Sequence, residues 1–212
     1  GNHNSPSVPT LAPSVAHDLP ELGVMLPYTP LQHLLLAAAE ARDMHALVMT
    51  SGNLSEEPIE TDDDLAWKHL VSAGIAEALL GNDRAILSRY DDSVVRVVDG
   101  VVMPVRRARG YAPQPLTLPA IDGGAPCILT CGPQQKATIA LTREADNGCA
   151  TCFVSQHIGD VENGATFDAW NDARRRLEDL FDLKPAALAC DLHPSYLSSQ
   201  WAREQAREHG LP

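Results

Sequence analysis

Residues 127–156, CILTCGPQQKATIALTREADNGCATCFVSQ, decide the fold of the chain. Three apolar runs in this stretch are rich in Ile, Leu, Val, Thr and Phe, and turns containing Gly, Pro or Asn separate them. Such a pattern predicts three strands, the first two joined as a hairpin. A helix over residues 166–182 with Thr166 as its N-cap follows, then a strand over residues 186–192 and a helix over residues 195–209 that a glycine stops. This β-β-β-α-β-α order predicts a mixed sheet with helices packed on it.

A second set of elements is predicted upstream of this stretch. The Asp-Gly dipeptide at positions 99–100 lies between two valine-rich runs, which predicts a hairpin with strands over residues 93–98 and 101–107. A helix is predicted over residues 30–42, because Thr29 supplies an N-cap and a proline follows it at the first helical position. The other predicted elements are strands over residues 22–27, 46–50 and 75–80 and a helix capped by Thr61.

A proline- and glycine-rich stretch separates the two sets of elements. Residues 112–126 contain four prolines and two glycines, which is typical of a linker. We therefore predict an α/β protein with two lobes: an extended lead-in over residues 1–20, a first domain over residues 21–111, a linker over residues 112–126 and a second domain over residues 127–212.

Charge is distributed unevenly along the chain. Residues 1–83 have a net charge of −10 and residues 110–212 a net charge of −5, whereas residues 84–109 contain six arginines and have a net charge of +3. A protein with this acidic balance repels nucleic acid over most of its surface. The arginine-rich segment is the exception, because guanidinium groups bind phosphate. The same segment also fits a solvated strand face.

Hydropathy and cysteine content indicate the compartment. No apolar stretch approaches the roughly 20 residues that a membrane-spanning helix needs, and the first residues lack the pattern of a signal peptide. Five cysteines form an odd set that fits a reducing compartment better than a disulfide framework. We therefore expect a cytoplasmic protein with no membrane partner.

Small polar side chains follow the predicted strand over residues 46–50. Ser51, Gly52 and Asn53 begin where that strand ends. In open α/β sheets ligands bind at the carboxyl ends of strands, and a glycine there lets the backbone approach a phosphate or a carbonyl. This motif therefore predicts a binding site, although a plain polar turn would have the same sequence.

Basic residues add two further candidates. Alternate residues of a strand share a face, so the hairpin can direct Arg107 and Arg109 to one side, with Ser93 on the partner strand. Lys136 lies in the turn between the first two strands of the second domain, where a lysine can contact phosphate or remain solvated. The GPQQK turn lacks the second glycine and the Ser or Thr of a P-loop.

The cysteines have a spacing that resembles a zinc site. Cys127, Cys131, Cys149 and Cys152 follow the pattern C-x3-C-x17-C-x2-C, but all four lie on or beside apolar strands, where a cysteine is typically a small buried hydrophobe. The first two would lie roughly 13 Å apart along a strand, too far apart to share one ion easily. We therefore predict no metal site in this chain.

Six motifs together resemble one known family. PELGVMLPYTPLQHLLL, LVMTSGNLSEEPI, DDSVVR, PVRRARGYAP, SQHIGDVEN and ACDLHPSYLSS occur here in the order in which they occur in the HypF family of hydrogenase-maturation carbamoyltransferases. The resemblance extends over about residues 11–212. It implies the C-terminal part of a YrdC-like domain followed by the opening part of a TsaD-like domain, an incomplete lobe of the actin/sugar-kinase (ribonuclease H-like) type.

The resemblance implies a chemistry as well as a fold. Members of the family use ATP to adenylate carbamate derived from carbamoyl phosphate, and transfer the carbamoyl group to the C-terminal cysteine of HypE for the cyanide ligands of NiFe hydrogenase. ATP, Mg²⁺, carbamoyl phosphate and HypE are therefore the implied cofactors and partners. The site residues implied for the nucleotide or the carbamoyl adenylate are Ser51, Asn53, Ser93, Arg107 and Arg109, and Lys136 is implied as a phosphate contact of the second lobe.

The same resemblance limits what this chain is expected to do alone. The family's Lys/Arg pair and its zinc fingers belong upstream of residue 1, and its metal-binding histidine motif belongs after residue 212. We therefore expect an enzyme fragment that is inactive by itself. Two alternatives stay open at the level of the sequence: a YrdC-like module that binds nucleotide or double-stranded RNA without catalysis, and a segment that only docks HypE or the rest of its own chain.

Overall fold

A computed structural model describes residues 12–16, 19–119, 126–144 and 149–212. The chain forms two units, residues 1–50 and residues 51–212. Across the described ranges no helix combines the length and the apolar character needed to cross a membrane. The structure contains helices and two β-sheets, which confirms the predicted α/β class.

The first unit contains the predicted helix and lacks the predicted strands. After a short 3₁₀ turn (Pro13–Val15), helix α1 spans Pro30–Glu40 and begins at the predicted N-cap, Thr29, whose side chain accepts from the Gln32 backbone N–H as part of a capping box. The strand predictions for residues 22–27 and 46–50 are wrong. Both runs are exposed, and Val24 and Val48 are each 80% accessible. The described part of this unit contains no strand with which either run could pair.

The second unit opens with a short helix and a hairpin. Helix α2 (Asp63–Ala66) continues as a π-helical turn, Trp67–Val71, and its N-cap is Asp62 instead of the predicted Thr61. The strand predicted over residues 75–80 is not formed. Strands β1 (Val94–Val98) and β2 (Val101–Arg106) confirm the hairpin. Both turn residues at positions 99–100 have positive φ, as a type I′ turn requires.

A five-stranded mixed sheet forms the rest of the second unit. Its strands are β3 (Pro115–Leu118), β4 (Ile128–Cys131), β5 (Ile139–Glu144), β6 (Ala150–Val154) and β7 (Ala187–Cys190), in the spatial order β3-β6-β5-β4-β7. All neighbours are antiparallel except the parallel pair β4–β7. Strand β3 lies inside the segment that the sequence predicts as a linker. The domain boundaries proposed from the sequence stay a prediction.

Helices α3 (Gly164–Phe181) and α4 (Leu197–His209) provide the apolar cover of this sheet. Asn163 is the N-cap of α3, and the predicted cap, Thr166, is the third residue of the same capping box. The core of the unit combines Leu129, Ile139 and Leu141 of the sheet with Trp170 and Leu177 of α3. This packing fixes the ends of the strands, where the candidate site lies.

Gly132 follows β4 at a place where the backbone of the next strand comes very close. Its N–H donates to the Thr138 carbonyl at 3.0 Å, and its carbonyl accepts from the Ser198 hydroxyl at 2.9 Å. A Cβ at this position would lie 2.5 Å from the Thr138 oxygen. Only glycine fits here without a backbone shift, so the turn that carries Lys136 depends on it.

Candidate functional site

The second unit contains a cleft of about 1070 Å³, here called the central cleft. Its walls come from the turn after residue 50, the β1–β2 hairpin, the turn between β4 and β5, the segment after β6 and the start of α3. The structure therefore brings together residues that are more than 100 positions apart in the sequence. Those that the following argument uses are Ser51, Asn53, Arg106, Arg107, Lys136 and His157.

The turn that carries Ser51 and Asn53 is internally braced. The Asn53 side-chain amide donates to the carbonyls of Leu54 (2.8 Å) and Glu57 (3.0 Å), which fixes its orientation. The Glu60 backbone N–H donates to the Gly52 carbonyl, so the turn closes on itself. The Asn53 Oδ1 atom is buried and has no hydrogen-bond partner among the described residues. It is therefore a fixed acceptor that a ligand N–H or O–H would satisfy.

Arg107 lines the cleft, but its guanidinium already has acceptors. Nη2 donates to the carbonyls of Tyr111 and Gln114, both at 2.7 Å, and Nη1 donates to the Val154 carbonyl at 3.0 Å. The Arg107 carbonyl in turn accepts from the His157 backbone N–H at 2.9 Å. Arg107 thus connects the end of the hairpin to strand β6 and to the segment after it.

Two of the predicted site residues are not part of the cleft wall. The Ser93 hydroxyl accepts from the Ala108 N–H at 2.8 Å and donates to the Arg109 carbonyl at 2.9 Å. The Arg109 side chain lies beside Asp92, at 3.4 Å, and donates to the Tyr90 carbonyl at 3.3 Å. Neither Ser93 nor Arg109 is among the residues that line the cleft. In this structure Ser93 fixes the path of the backbone at residues 108–109.

Lys136 lies at the opposite wall, in the turn between β4 and β5. Its backbone is left-handed, with φ of 51°, and its N–H donates to the Asp160 Oδ1 atom at 2.6 Å. A bridge between Ala137 and Gly159 joins this turn to the segment after β6. The lysine side chain is exposed within the cleft wall.

Asp91, which the sequence does not single out, joins two other polar residues in the cleft wall. Asp91 lies between Arg106, at 3.8 Å, and His157, at 3.9 Å. Burial lowers the pKa of His157, with help from the positive charges of Arg106 and Lys136, so its neutral form is favoured. His157 lies just past the end of β6, and nothing in the sequence predicts its proximity to Asp91, 66 residues upstream.

The cysteines serve the core of the second unit. Cys131 and Cys152 are buried, and Cys127, Cys131, Cys152 and Cys190 are free thiols. Burial and the neighbouring Cys190 raise the pKa of Cys131 to about 12, so its thiol stays protonated. Among the described residues, no three or more His, Cys, Asp or Glu side chains are grouped so that they could hold a metal ion.

Replacement of Arg107 by lysine tests whether its guanidinium braces the cleft. An ammonium cannot reproduce the planar fork that reaches three carbonyls, so we expect the free energy of unfolding to fall by about 1–2 kcal/mol. Urea unfolding followed by circular dichroism measures this change. Arg175→Lys is the control, because Arg175 is exposed on α3 and its ion pair with Asp172 lies within that helix. Equal stability of the Arg107→Lys and Arg175→Lys variants would contradict the bracing role.

Two known families match the chain in succession. Residues 4–108 match a family described as "Telomere recombination", whose name includes YrdC, and residues 124–211 match one described as "HypF Kae1-like domain". The two matches together extend over most of the chain. Residues 109–123 lie between the two matched segments.

Individual relatives show the same similarity. The chain is 43% identical to "Carbamoyltransferase HypF2" of Cupriavidus necator, over 93% of this chain and 25% of the relative. It is 40% identical to "Carbamoyltransferase HypF" of Synechocystis sp., over 92% of this chain and 24% of the relative. A crystal structure of full-length HypF in its phosphate- and nucleotide-bound form has 40% identity and a TM-score of 0.73, over 86% of this chain and 27% of that one.

The chain thus spans about a quarter of the length of these relatives. The similarity covers nearly all of its own residues, in both sequence and structure. Taken with the two successive family matches, this shows that the chain belongs to the HypF family.

Proposed function

We propose that this chain is the part of a carbamoyltransferase that holds the nucleotide and the carbamoyl adenylate during the reaction. The observation that carries the proposal is the central cleft, where Ser51, Asn53, Arg107 and Lys136 line one space. Ser51 and Lys136 supply a hydroxyl and an ammonium that suit a triphosphate, and the Asn53 oxygen suits an N–H or O–H of the acyl adenylate. The relatives are named as carbamoyltransferases, and one was crystallised with phosphate and nucleotide.

In the proposed reaction a carbamate oxygen attacks the α-phosphorus of ATP and pyrophosphate leaves. The fixed Oδ1 atom of Asn53 accepts a hydrogen bond from the ligand, and Lys136 offsets phosphate charge. Arg107 acts as a positioning residue, because its guanidinium is already bonded to three carbonyls.

We also propose the cofactor Mg²⁺ and two partners, HypE and carbamoyl phosphate. Mg²⁺ would arrive with the triphosphate, since it needs only one or two carboxylates besides phosphate oxygens, and Glu56 and Glu57 lie in the cleft wall. The C-terminal cysteine of HypE is the proposed acceptor of the carbamoyl group, and carbamoyl phosphate is its proposed source. A cytoplasmic location is proposed because the free thiols described above fit a reducing compartment.

Pyrophosphate exchange into ATP, dependent on carbamoyl phosphate, tests this function. We expect no exchange with the 212-residue chain alone, because the Lys/Arg pair that the family uses lies outside it. Addition of the flanking segments of a HypF protein should restore exchange, and Asn53→Ala in this chain should reduce the restored rate at least tenfold. Exchange by the chain alone, or restored exchange that Asn53→Ala does not change, would contradict the proposal.

A further inference from the structure

Two cysteines lie opposite each other on the parallel strands β4 and β7. Cys131 is the last residue of β4, Cys190 is the last residue of β7, and the register of the two strands makes them direct partners. Both side chains lie on the same face of the sheet, because Cys131 belongs to the core and Cys190 packs against it. Neighbouring strands are about 4.8 Å apart, within the roughly 4.4–6.8 Å that separates the Cα atoms of a disulfide.

Helix α4 holds the ends of both strands in this register. The Ser198 hydroxyl donates to the carbonyl of Gly132, just after β4, at 2.9 Å. The Ser199 hydroxyl donates to the carbonyl of Asp191, just after β7, at 3.0 Å, and the Arg203 guanidinium donates to the same carbonyl at 3.1 Å. One helix therefore fixes the places where the two strands end, which keeps the cysteines opposite each other.

Strand β7 is the element that can adapt to a disulfide. The Cβ atoms of a disulfide are about 3.8 Å apart, closer than two neighbouring strands, so one of the strands must move slightly. In the sheet that the structure describes, β7 lies at the edge and pairs only with β4, whereas β4 is held between β5 and β7. A small shift of the edge strand leaves the other strand pairs of the sheet unchanged.

The two thiols differ in their access to solvent. Cys131 is 2% exposed, and burial together with the neighbouring Cys190 raises its pKa to about 12. Cys190 is only half-buried. Because the thiolate is the reactive form and an oxidant must reach it, Cys190 reacts first and Cys131 second.

We propose that Cys131 and Cys190 are a redox-sensitive pair, which a small-molecule disulfide such as oxidised glutathione converts into a disulfide that locks β7 onto β4. In a reducing compartment the two cysteines are free thiols, as they are in the structure. Disulfides that form in such a compartment are typically transient and redox-sensing. The inference goes beyond the proposed function, which gives no role to either cysteine.

The reaction consists of two exchange steps. The Cys190 thiolate attacks one sulfur of oxidised glutathione, the S–S bond of the oxidant breaks, and the first glutathione leaves. Cys131 then gives up its proton, its sulfur attacks the Cys190 sulfur, and the second glutathione leaves. The two cysteines together lose two electrons and two protons, and one oxidised glutathione becomes two reduced ones. The raised pKa of Cys131 makes the second step the slower one.

Incubation of the full 212-residue chain in glutathione buffers of increasing oxidised fraction tests the pair. Alkylation of the remaining thiols and peptide mass mapping then identify the products. We expect an intramolecular bond between Cys131 and Cys190, with a loss of about 2 Da from the intact mass. Cys152 is the internal control: it is also buried, but its partners on the neighbouring strands are Leu116 and Thr142, so it should stay reduced.

Two variants separate the steps of the reaction. Cys131→Ala should stop the reaction after the first step and leave one glutathione on Cys190. Cys190→Ala should leave Cys131 unmodified, because its buried thiol does not reach the oxidant. Cys152→Ala is the matched control and should form the bond in the same yield as the unaltered chain. Circular dichroism verifies that each variant is folded.

Amide hydrogen exchange measures the locking of the edge strand. Exchange in β7 should be at least tenfold slower in the oxidised chain, because the strand can no longer leave the sheet without breaking a covalent bond. Any of three results would overturn the proposal: no Cys131–Cys190 bond in the folded chain, an equal yield of this bond in the chain unfolded by urea, or equal exchange of β7 in the two redox states. None of these readouts requires carbamoyl transfer, so a failure here is distinct from a failure of the proposed function.

Discussion

Replacement of Trp170 by alanine is expected to lower the free energy of unfolding by about 3 kcal/mol. Trp170 is fully buried, and its ring packs parallel to Phe167 and edge-on to Trp201, with centroid distances of 5.8 and 5.1 Å. Removal of such a ring from a core typically costs 3–5 kcal/mol. Its indole N–H has no hydrogen-bond partner among the described residues, so the substitution also removes a buried unsatisfied donor, which places the loss at the lower end of that range.

Urea unfolding followed by far-ultraviolet circular dichroism measures this loss without depending on tryptophan fluorescence. Trp67→Ala in the same unit is the matched control, because that side chain is 52% exposed and its removal leaves no comparable cavity. Trp170→Phe keeps a ring and loses the unsatisfied donor, so it should cost less than half as much as Trp170→Ala. A similar loss in Trp67→Ala and Trp170→Ala would show that α3 does not anchor the core as described.

Replacement of Gly132 by alanine is expected to destabilise the second unit by about 2–3 kcal/mol. The new Cβ would lie 2.5 Å from the Thr138 carbonyl oxygen and 3.1 Å from its nitrogen. Both are backbone atoms, so no side-chain rotation relieves the clash, and the loss belongs to the upper part of the range for overpacking. The hydrogen bond from the Gly132 N–H to the Thr138 carbonyl must lengthen as the strands move apart.

Gly164→Ala is the control for this prediction. Gly164 is the first residue of α3, and a Cβ there meets no atom within 4 Å. Alanine is also the better helix former, so the same chemical change should be neutral or slightly stabilising there. Thermal unfolding of both variants gives the comparison. Equal midpoints for Gly132→Ala and Gly164→Ala would mean that the Thr138 backbone lies farther from Gly132 than the structure shows.

The elements that the sequence predicts correctly are those whose signals are local. The N-cap at Thr29, the hairpin turn at positions 99–100 and the C-terminal glycine of α4 at Gly210 each depend on residues a few positions apart. The apolar runs at residues 22–27 and 46–50 failed because a strand also needs a partner, which composition does not reveal. Strand β3 shows the opposite case. Its proline-rich sequence indicates a linker, but a partner strand, β6, is available, and β3 pairs with it as an edge strand.

The candidate site was predictable in part for the same physical reason. The turn at Ser51 and Asn53 and the lysine at position 136 follow recognisable local patterns, and the structure places all three in one cleft. Two of the acceptors of Arg107, Tyr111 and Gln114, lie just after it in the sequence. The third, Val154, is 47 residues away, so this contact could not be predicted. Asp91 and His157 come together only through the packing of the hairpin on the segment after β6. Long-range proximity of this kind has no signature in a single sequence.

The triple hydrogen bonding of Arg107 has a consequence for how the cleft can move. One rigid, planar group is bonded to two separate stretches of backbone, the turn that contains Tyr111 and Gln114 and the end of β6 at Val154, so the wall cannot yield at one of them while the other stays in place. Displacement of the hairpin end must release the Val154 bond together with the bonds to Tyr111 and Gln114, or rotate the whole side chain. Opening of this wall is therefore expected to be a cooperative event with a distinct barrier, instead of a continuous breathing motion, and amide hydrogen exchange should show the residues around it opening together.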